Sequence, residues 1–310
     1  MDIRHMLVVV DATREEQQPA LERAAQLLEH YTEARLTLML CDYIPALDGG
    51  VLFESHALEK ARESLLAHHK SYLEQLATPL RSKGVQIDTT AIWGKRLDRH
   101  VLREVQARRP DLVLKTSHQR NPLKRLLLSA ADWQLIRYCE VPLWLVKHGD
   151  NTLSQVCASV DPLHSADKPA ALDNKLVACG YQLSQQLKAQ LHLAHCYTPL
   201  PRTMVFDASV IADYEGYAKE VKQHHATAFS QLLARSPAEG VTSHLLEGDP
   251  EEALPGFVEE QQIDLLIMGA VSRSRLESAL IGHTAERLID ATPCDLLIIK
   301  PDGFVDPSKP

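Results

Sequence analysis

No two cysteines form a C-x-x-C pair, and the six present (Cys41, Cys139, Cys157, Cys179, Cys196 and Cys294) have no zinc-finger spacing. Neither a structural metal nor a disulfide framework is indicated, and free, mostly buried thiols in a reducing compartment are the expectation. A run of 18 apolar residues is also missing, and the apolar stretch Met6 to Val10 is too short for a secretion signal and ends in Asp11. The expected location is therefore the cytoplasm, with no membrane partner. There is no long Lys/Arg block either, and 33 basic against 41 acidic residues give a formal charge of −8, which disfavours direct contact with nucleic acid. With only 13 Gly and 17 Pro in 310 residues, the composition is that of a packed globular chain. The nucleophile elbow G-x-S-x-G, the G-x-x-x-x-G-K-[ST] loop and the H-E-x-x-H pair are all absent. No catalytic residue is assigned, and for a slow ATP hydrolysis only Asp161, Asp249 or Glu286 would come into question.

What the chain does have is an internal repeat, which changes every later assignment. Residues 111–147 align without a gap to 264–300 at an offset of 153, and nine of the 37 positions are identical: Asp111, Leu112, Arg120, Leu123, Leu127, Leu135, Ile136, Leu143 and Lys147. With small offset changes the pairing continues upstream, setting Asp11 opposite Asp161, Pro19 opposite Pro169, Cys41 opposite Cys196 and Gly84 opposite Gly240. The polar stretch 147–153 separates the copies, so the domains are 1–149 and 150–310.

Within each copy, short continuous apolar runs alternate with helical periodicity, the pattern of βαβ units around a parallel sheet covered on both faces. The runs predict five strands per copy: Met6–Val10, Leu36–Cys41, Val85–Ile92, Leu112–Leu114 and Leu143–Val146, then Val156–Val160, Leu191–Cys196, Val241–Leu246, Leu265–Met268 and Leu296–Ile299. Pro19 and Pro169 are expected in first helical turns, with Leu21, Ala24, Ala25 and Leu28 facing inward after the first of them. The fold class is α/β, two tandem doubly wound five-stranded parallel sheets, whose ligands sit beyond the carboxyl ends of the strands.

After the fourth strand of copy two runs Ile267-Met-Gly-Ala-Val-Ser-Arg-Ser-Arg-Leu-Glu-Ser-Ala-Leu-Ile-Gly-His-Thr-Ala-Glu286. Gly269 and Gly282 lie 13 apart with Thr284 two beyond, and this segment resembles the phosphate loop of the universal stress protein family. In such a loop glycines let backbone amides approach a polyphosphate at the positive end of the next helix. Two positions depart from the family pattern: Ser272 replaces a second glycine and His283 stands where a hydroxyl is usual. A non-glycine held in a left-handed backbone costs roughly 1–2 kcal/mol. The resemblance implies an adenine nucleotide, ATP or ADP with magnesium. It assigns Asp161 to the adenosine, the strand end near Cys196 to the base, Gly248 to a pocket-lining loop, and Gly269, Ser272, Gly282, His283 and Thr284 to the phosphates.

Copy one has Thr116, Gln119, Ser129, Ala130 and Ala131 at the aligned positions, so its loop glycines are gone while Asp11 remains. The resemblance further implies that the fifth strands of the two copies, Leu143–Val146 and Leu296–Ile299, pair about a pseudo-two-fold axis; homodimerisation of the whole chain through other surfaces stays open, since the sequence is silent on it. It also implies a cytoplasmic, regulatory binding role in bacterial stress and DNA-damage tolerance. Three readings stay open: a nucleotide-responsive binding protein, a nucleotide-independent scaffold or binder of a metabolite or lipid intermediate, and a weak ATPase. The doublets His68-His69 and His224-His225 do not form a metal pair, because adjacent helical residues point apart. His192 and His195 are expected on opposite faces of a strand, and Trp133 and Trp144 in a core or interface.

Overall fold

The structure, a computed structural model, describes residues 1–14, 16–48, 55–117, 128–163, 171–201, 213–236, 240–270, 287–289 and 291–304. The chain divides into two compact units, 2–151 and 152–304.

In the first unit the strands are β1 (His5–Val10), β2 (Arg35–Asp42), β3 (Ile87–Trp93), β4 (Leu112–Thr116) and β5 (Leu143–Val146). They pair in parallel in the order β3-β2-β1-β4-β5. The connecting helices are α1 (Pro19–Leu28), α2 (Ser55–Arg81), α3 (Leu97–Arg108) and α4 (Ala130–Tyr138). The chain starts at the centre of the sheet, steps outward to β3, then returns to the other side of β1. That reversal between β1 and β4 opens a crevice at the carboxyl ends of the strands.

The second unit repeats the plan with β6 (Gln155–Ser159), β7 (Gln190–Tyr197), β8 (Thr242–Glu247), β9 (Leu265–Gly269) and β10 (Asp295–Ile299). Its order is β10-β9-β6-β7-β8, again parallel throughout. Helices α5 (Ala171–Leu187), α6 (Tyr214–Ala234) and α7 (Pro250–Glu260) connect them.

All ten strands lie where the apolar runs put them, with ends shifted by a residue or two. The continuous runs of β1, β4, β5 and β10 are buried at every position, as strands covered on both faces must be. The outermost strands β3 and β8 are only partly covered. The third strand of the first unit begins two residues later than its apolar run, because Val85 and Gln86 belong to the turn after α2. That turn contains Gly84 at φ 90°, and its repeat equivalent Gly240 has φ 78°, a left-handed backbone that only glycine adopts without strain.

On α1, Pro19 opens the first turn, and Leu21, Ala24, Leu27 and Leu28 are buried. Leu27 takes the inward place expected of Ala25, which is half-buried. Each fully buried leucine contributes about 1.5–3 kcal/mol. The same helix buries Arg23 completely, and its guanidinium donates to the carbonyl oxygens of His148 (2.6 Å) and Asn151 (2.9 Å). The segment that follows β5 is thereby tied to α1.

Candidate functional site

Strand register decides which side chains meet at the crevice of each unit. In the second unit Ser159 is level with Ala194 and Ala158 with Ile267, so two residues on Asp161 comes level with Cys196, and Val160 with Gly269. Gly248 closes β8 and its amide donates to the Tyr197 carbonyl at 2.9 Å. Its φ of 126° explains the glycine there. Asp161, Cys196, Gly248 and Gly269 are therefore all at the carboxyl ends of neighbouring strands. Ser272, Gly282, His283 and Thr284 lie outside the described residues, as does Pro169.

Gly269 has a packing role of its own. A Cβ at this position would come within 2.8 Å of the Leu172 side chain on α5, so the helix approaches β9 through the absent side chain. In the first unit the equivalent Thr116 carries a side chain, whose hydroxyl accepts from the Ala20 amide at 3.2 Å.

Behind the second crevice runs a histidine relay. The Val160 carbonyl can only accept, so the 3.1 Å contact puts a proton on His195 Nδ1 and leaves Nε2 to accept from His225 Nδ1 at 2.9 Å. Burial holds the His195 imidazole below its ordinary pKa, and the Asp161 carboxylate opposes that effect. His192 lies on the other face of β7, bonded to His244 (2.9 Å) and Gln155 (2.8 Å). The two histidines thus face opposite sides of β7, as their odd separation requires. Nearer solvent, the Tyr197 hydroxyl donates to Glu247 at 2.7 Å and Thr198 to Asp249 at 3.0 Å.

All six cysteines are free. Burial, reinforced by Asp161 and Asp249, pushes the Cys196 thiol up to about 12. Burial together with Asp42 and Asp98 pushes Cys41 up to about 11. A cysteine so protonated contributes packing and backbone groups rather than a nucleophile. At pH 8 both should react with iodoacetamide about two to three orders of magnitude more slowly than a free thiol of pKa near 8.5. The rate should rise as pH climbs toward 11–12, and mass-spectrometric alkylation kinetics against pH would check this.

The first unit, whose loop glycines are gone, nevertheless has a defined cleft of about 200 Å³ at its switch point. Asp11, Thr13, Cys41, Asp42, Lys115 and Thr116 line it. Asp11 accepts from the amide (2.9 Å) and hydroxyl (2.7 Å) of Thr13, and Arg14 pairs with its other oxygen at 3.4 Å. Asp42 receives His69 at 2.8 Å. The histidine doublets are explained by this: the second member of each, His69 and His225, turns inward to the end of the second strand, onto Asp42 in one unit and His195 in the other. Lys115 reaches Asp132 at 2.7 Å. Sequence reasoning missed this cluster, although the serine and aspartate three apart at Ser129 and Asp132 carry the signature of a helix start. Among the described residues no group of three or more His, Cys, Asp or Glu is arranged to hold a metal ion. Nor is any described helix long and apolar enough to cross a membrane.

Two successive doubly wound parallel sheets, each with an aspartate closing its central strand at the switch point, define a tandem α/β protein of the class that binds small ligands beyond its strand ends. The family profile described as "Universal stress protein family" matches residues 2–147 and 164–300, and the chain belongs to that family. Among similar proteins are "Universal stress protein E" of Salmonella typhi, 31% identical across 98% of this chain and 96% of its own length, and its namesake in Escherichia coli K12, 30% identical over the same shares. Among solved structures, the functionally unknown protein PA1789 from Pseudomonas aeruginosa PAO1 aligns with a TM-score of 0.68 at 24% identity, covering 97% of this chain and 93% of that one. A universal stress protein from Archaeoglobus fulgidus aligns with a TM-score of 0.64 at 14% identity, over 97% and 99%. These two likenesses concern the fold.

Proposed function

We propose that this chain is a cytoplasmic stress-response binding protein that holds an adenine nucleotide, ATP or ADP, in the second unit and acts through partners rather than by catalysis. In this reading Asp161 accepts from the adenosine moiety, and backbone groups near Cys196 and Gly248 face the base and sugar. Gly269, Ser272, Gly282, His283 and Thr284 surround the phosphates, with any magnesium carried by the nucleotide. The observation that carries the reading is the position of Asp161 just beyond the carboxyl end of β6, level with Cys196 on β7 on one side and beside β9, where the strand order reverses, on the other.

Calorimetric titration of the full chain with ATP and ADP tests it, with Asp161→Asn as the control. This control is cleaner than a substitution at Gly269, where any side chain would strike Leu172. One lost hydrogen bond to a charged group is worth about 1.5–3 kcal/mol, so the variant should bind roughly ten- to a hundredfold more weakly. Absence of both heat and thermal stabilisation in the natural sequence would sink the proposal. Phosphate release above the Asp161→Asn background would favour the weak ATPase instead.

The first unit's cleft favours a second reading in parallel, in which that half binds a small metabolite. At about 200 Å³ it has room for only a compact ligand.

A further inference from the structure

Lys115 lines the cleft of the first unit, yet its ammonium is already engaged. It lies 2.7 Å from an oxygen of Asp132 and 3.1 Å from the Thr116 carbonyl. Both side chains are buried, Lys115 at 6% exposure and Asp132 at 0%. Asp132 is the third residue of α4, and its second oxygen accepts from the Ser129 amide (2.9 Å) and the Ser129 hydroxyl (2.7 Å). A full negative charge therefore sits at the positive end of a helix, held by an ammonium, a hydroxyl and a backbone amide. Those are the groups that would bind a phosphate oxygen. The repeat supplies the contrast: the positions of Lys115 and Asp132 are Met268 and Ala285 in copy two, so that half has neither charge.

We propose that the Asp132 carboxylate is an internal anion occupying the anion position of the first unit, so that its cleft takes small uncharged or cationic ligands and rejects phosphorylated ones. Lys115 and Asp132 are then the residues that set this specificity. An incoming phosphate would find the ammonium neutralised by Asp132, and the carboxylates in the cleft wall, Asp11 beside Arg14 and Asp42 beside His69, add no uncompensated positive charge to receive it. Like charges across a low-dielectric wall penalise the wrong ligand more than they help the right one. This inference deepens the metabolite reading of the first unit and does not depend on nucleotide binding in the second.

The test uses inorganic phosphate on the full chain, followed by calorimetry at constant ionic strength with chloride as the matched salt. Asp132→Asn keeps the size of the side chain and removes the charge, freeing Lys115. It should bind phosphate at least about tenfold more tightly than the natural sequence, a difference of about 1.4 kcal/mol. The double variant Lys115→Met, Asp132→Asn should lose that gain. Phosphate taken up by the second unit would appear equally in all three proteins and cancel from the comparison, so its presence or absence bears only on the nucleotide proposal. If Asp132→Asn unfolds without phosphate, refolding on phosphate addition supports the proposal, and indifference to phosphate overturns it. A folded Asp132→Asn with unchanged phosphate affinity overturns it as well, as does phosphate binding by the natural sequence that Lys115→Met abolishes.

Discussion

Replacing Lys115 by Met is expected to destabilise the first unit by about 3–5 kcal/mol, the cost of leaving one member of a buried ion pair without its partner. Asp132 is fully buried, so its carboxylate has no route to solvent once the ammonium is gone. Adding Asp132→Ala to the Lys115→Met protein should recover most of the loss, because the pair Met and Ala stands at the same positions of the second copy. The coupling between the two sites, read from a double-mutant cycle, should therefore be large and favourable. Urea unfolding is well suited to the measurement: all three tryptophans, Trp93, Trp133 and Trp144, are in the first half, so their fluorescence follows that unit alone. A single substitution costing less than about 1 kcal/mol would mean that the pair is not isolated from water as its burial indicates.

The second large effect is expected at Arg23. Its guanidinium donates to the carbonyls of His148 and Asn151 and to the side chains of Asn151 and Gln26, with no exposure to solvent. Hydrogen bonds to a charged group are worth about 1.5–3 kcal/mol each before overlap, and Arg23→Ala should cost about 3–4 kcal/mol in all. It should also release residues 148–151 from α1, making that stretch a site of preferential proteolytic cleavage. Arg23→Lys should recover only part of the loss, since an ammonium cannot reproduce the planar fork that reaches several acceptors at once. Limited proteolysis with mass-spectrometric mapping, alongside urea unfolding, separates the two consequences. An Arg23→Ala protein with unchanged cleavage pattern would show that the segment is held by other contacts.

Sheet architecture was legible from the sequence because both faces of the central strands are covered. Runs such as Leu7–Val10 and Leu296–Ile299 have no polar interruption and read the same in sequence and in structure. The turn before β3 was less legible, since Val85 is apolar yet belongs to a turn set by the left-handed Gly84. For the site, the level of Asp11 with Cys41 and of Asp161 with Cys196 follows from strand ends alone. The first unit's cleft did not, because a lysine at the end of an apolar run reads as the start of a loop. Nothing local announces that Lys115 meets a carboxylate 17 residues further on. Ser129 drew attention only as a missing glycine, whereas its hydroxyl opens α4 and braces Asp132. The candidate phosphate loop, with Ser272, Gly282, His283 and Thr284, is known from its sequence spacing alone.

The Lys115–Asp132 pair also bears on how the two halves can diverge. A duplicated domain normally drifts through single substitutions that each leave a foldable protein. Here a stepwise change between Lys115 with Asp132 and the Met and Ala of the second copy passes through an intermediate with one buried charge lacking its partner, whichever residue changes first. The pair thus acts as a brake on change at either position, because replacing one member alone leaves the other as a buried charge without its partner.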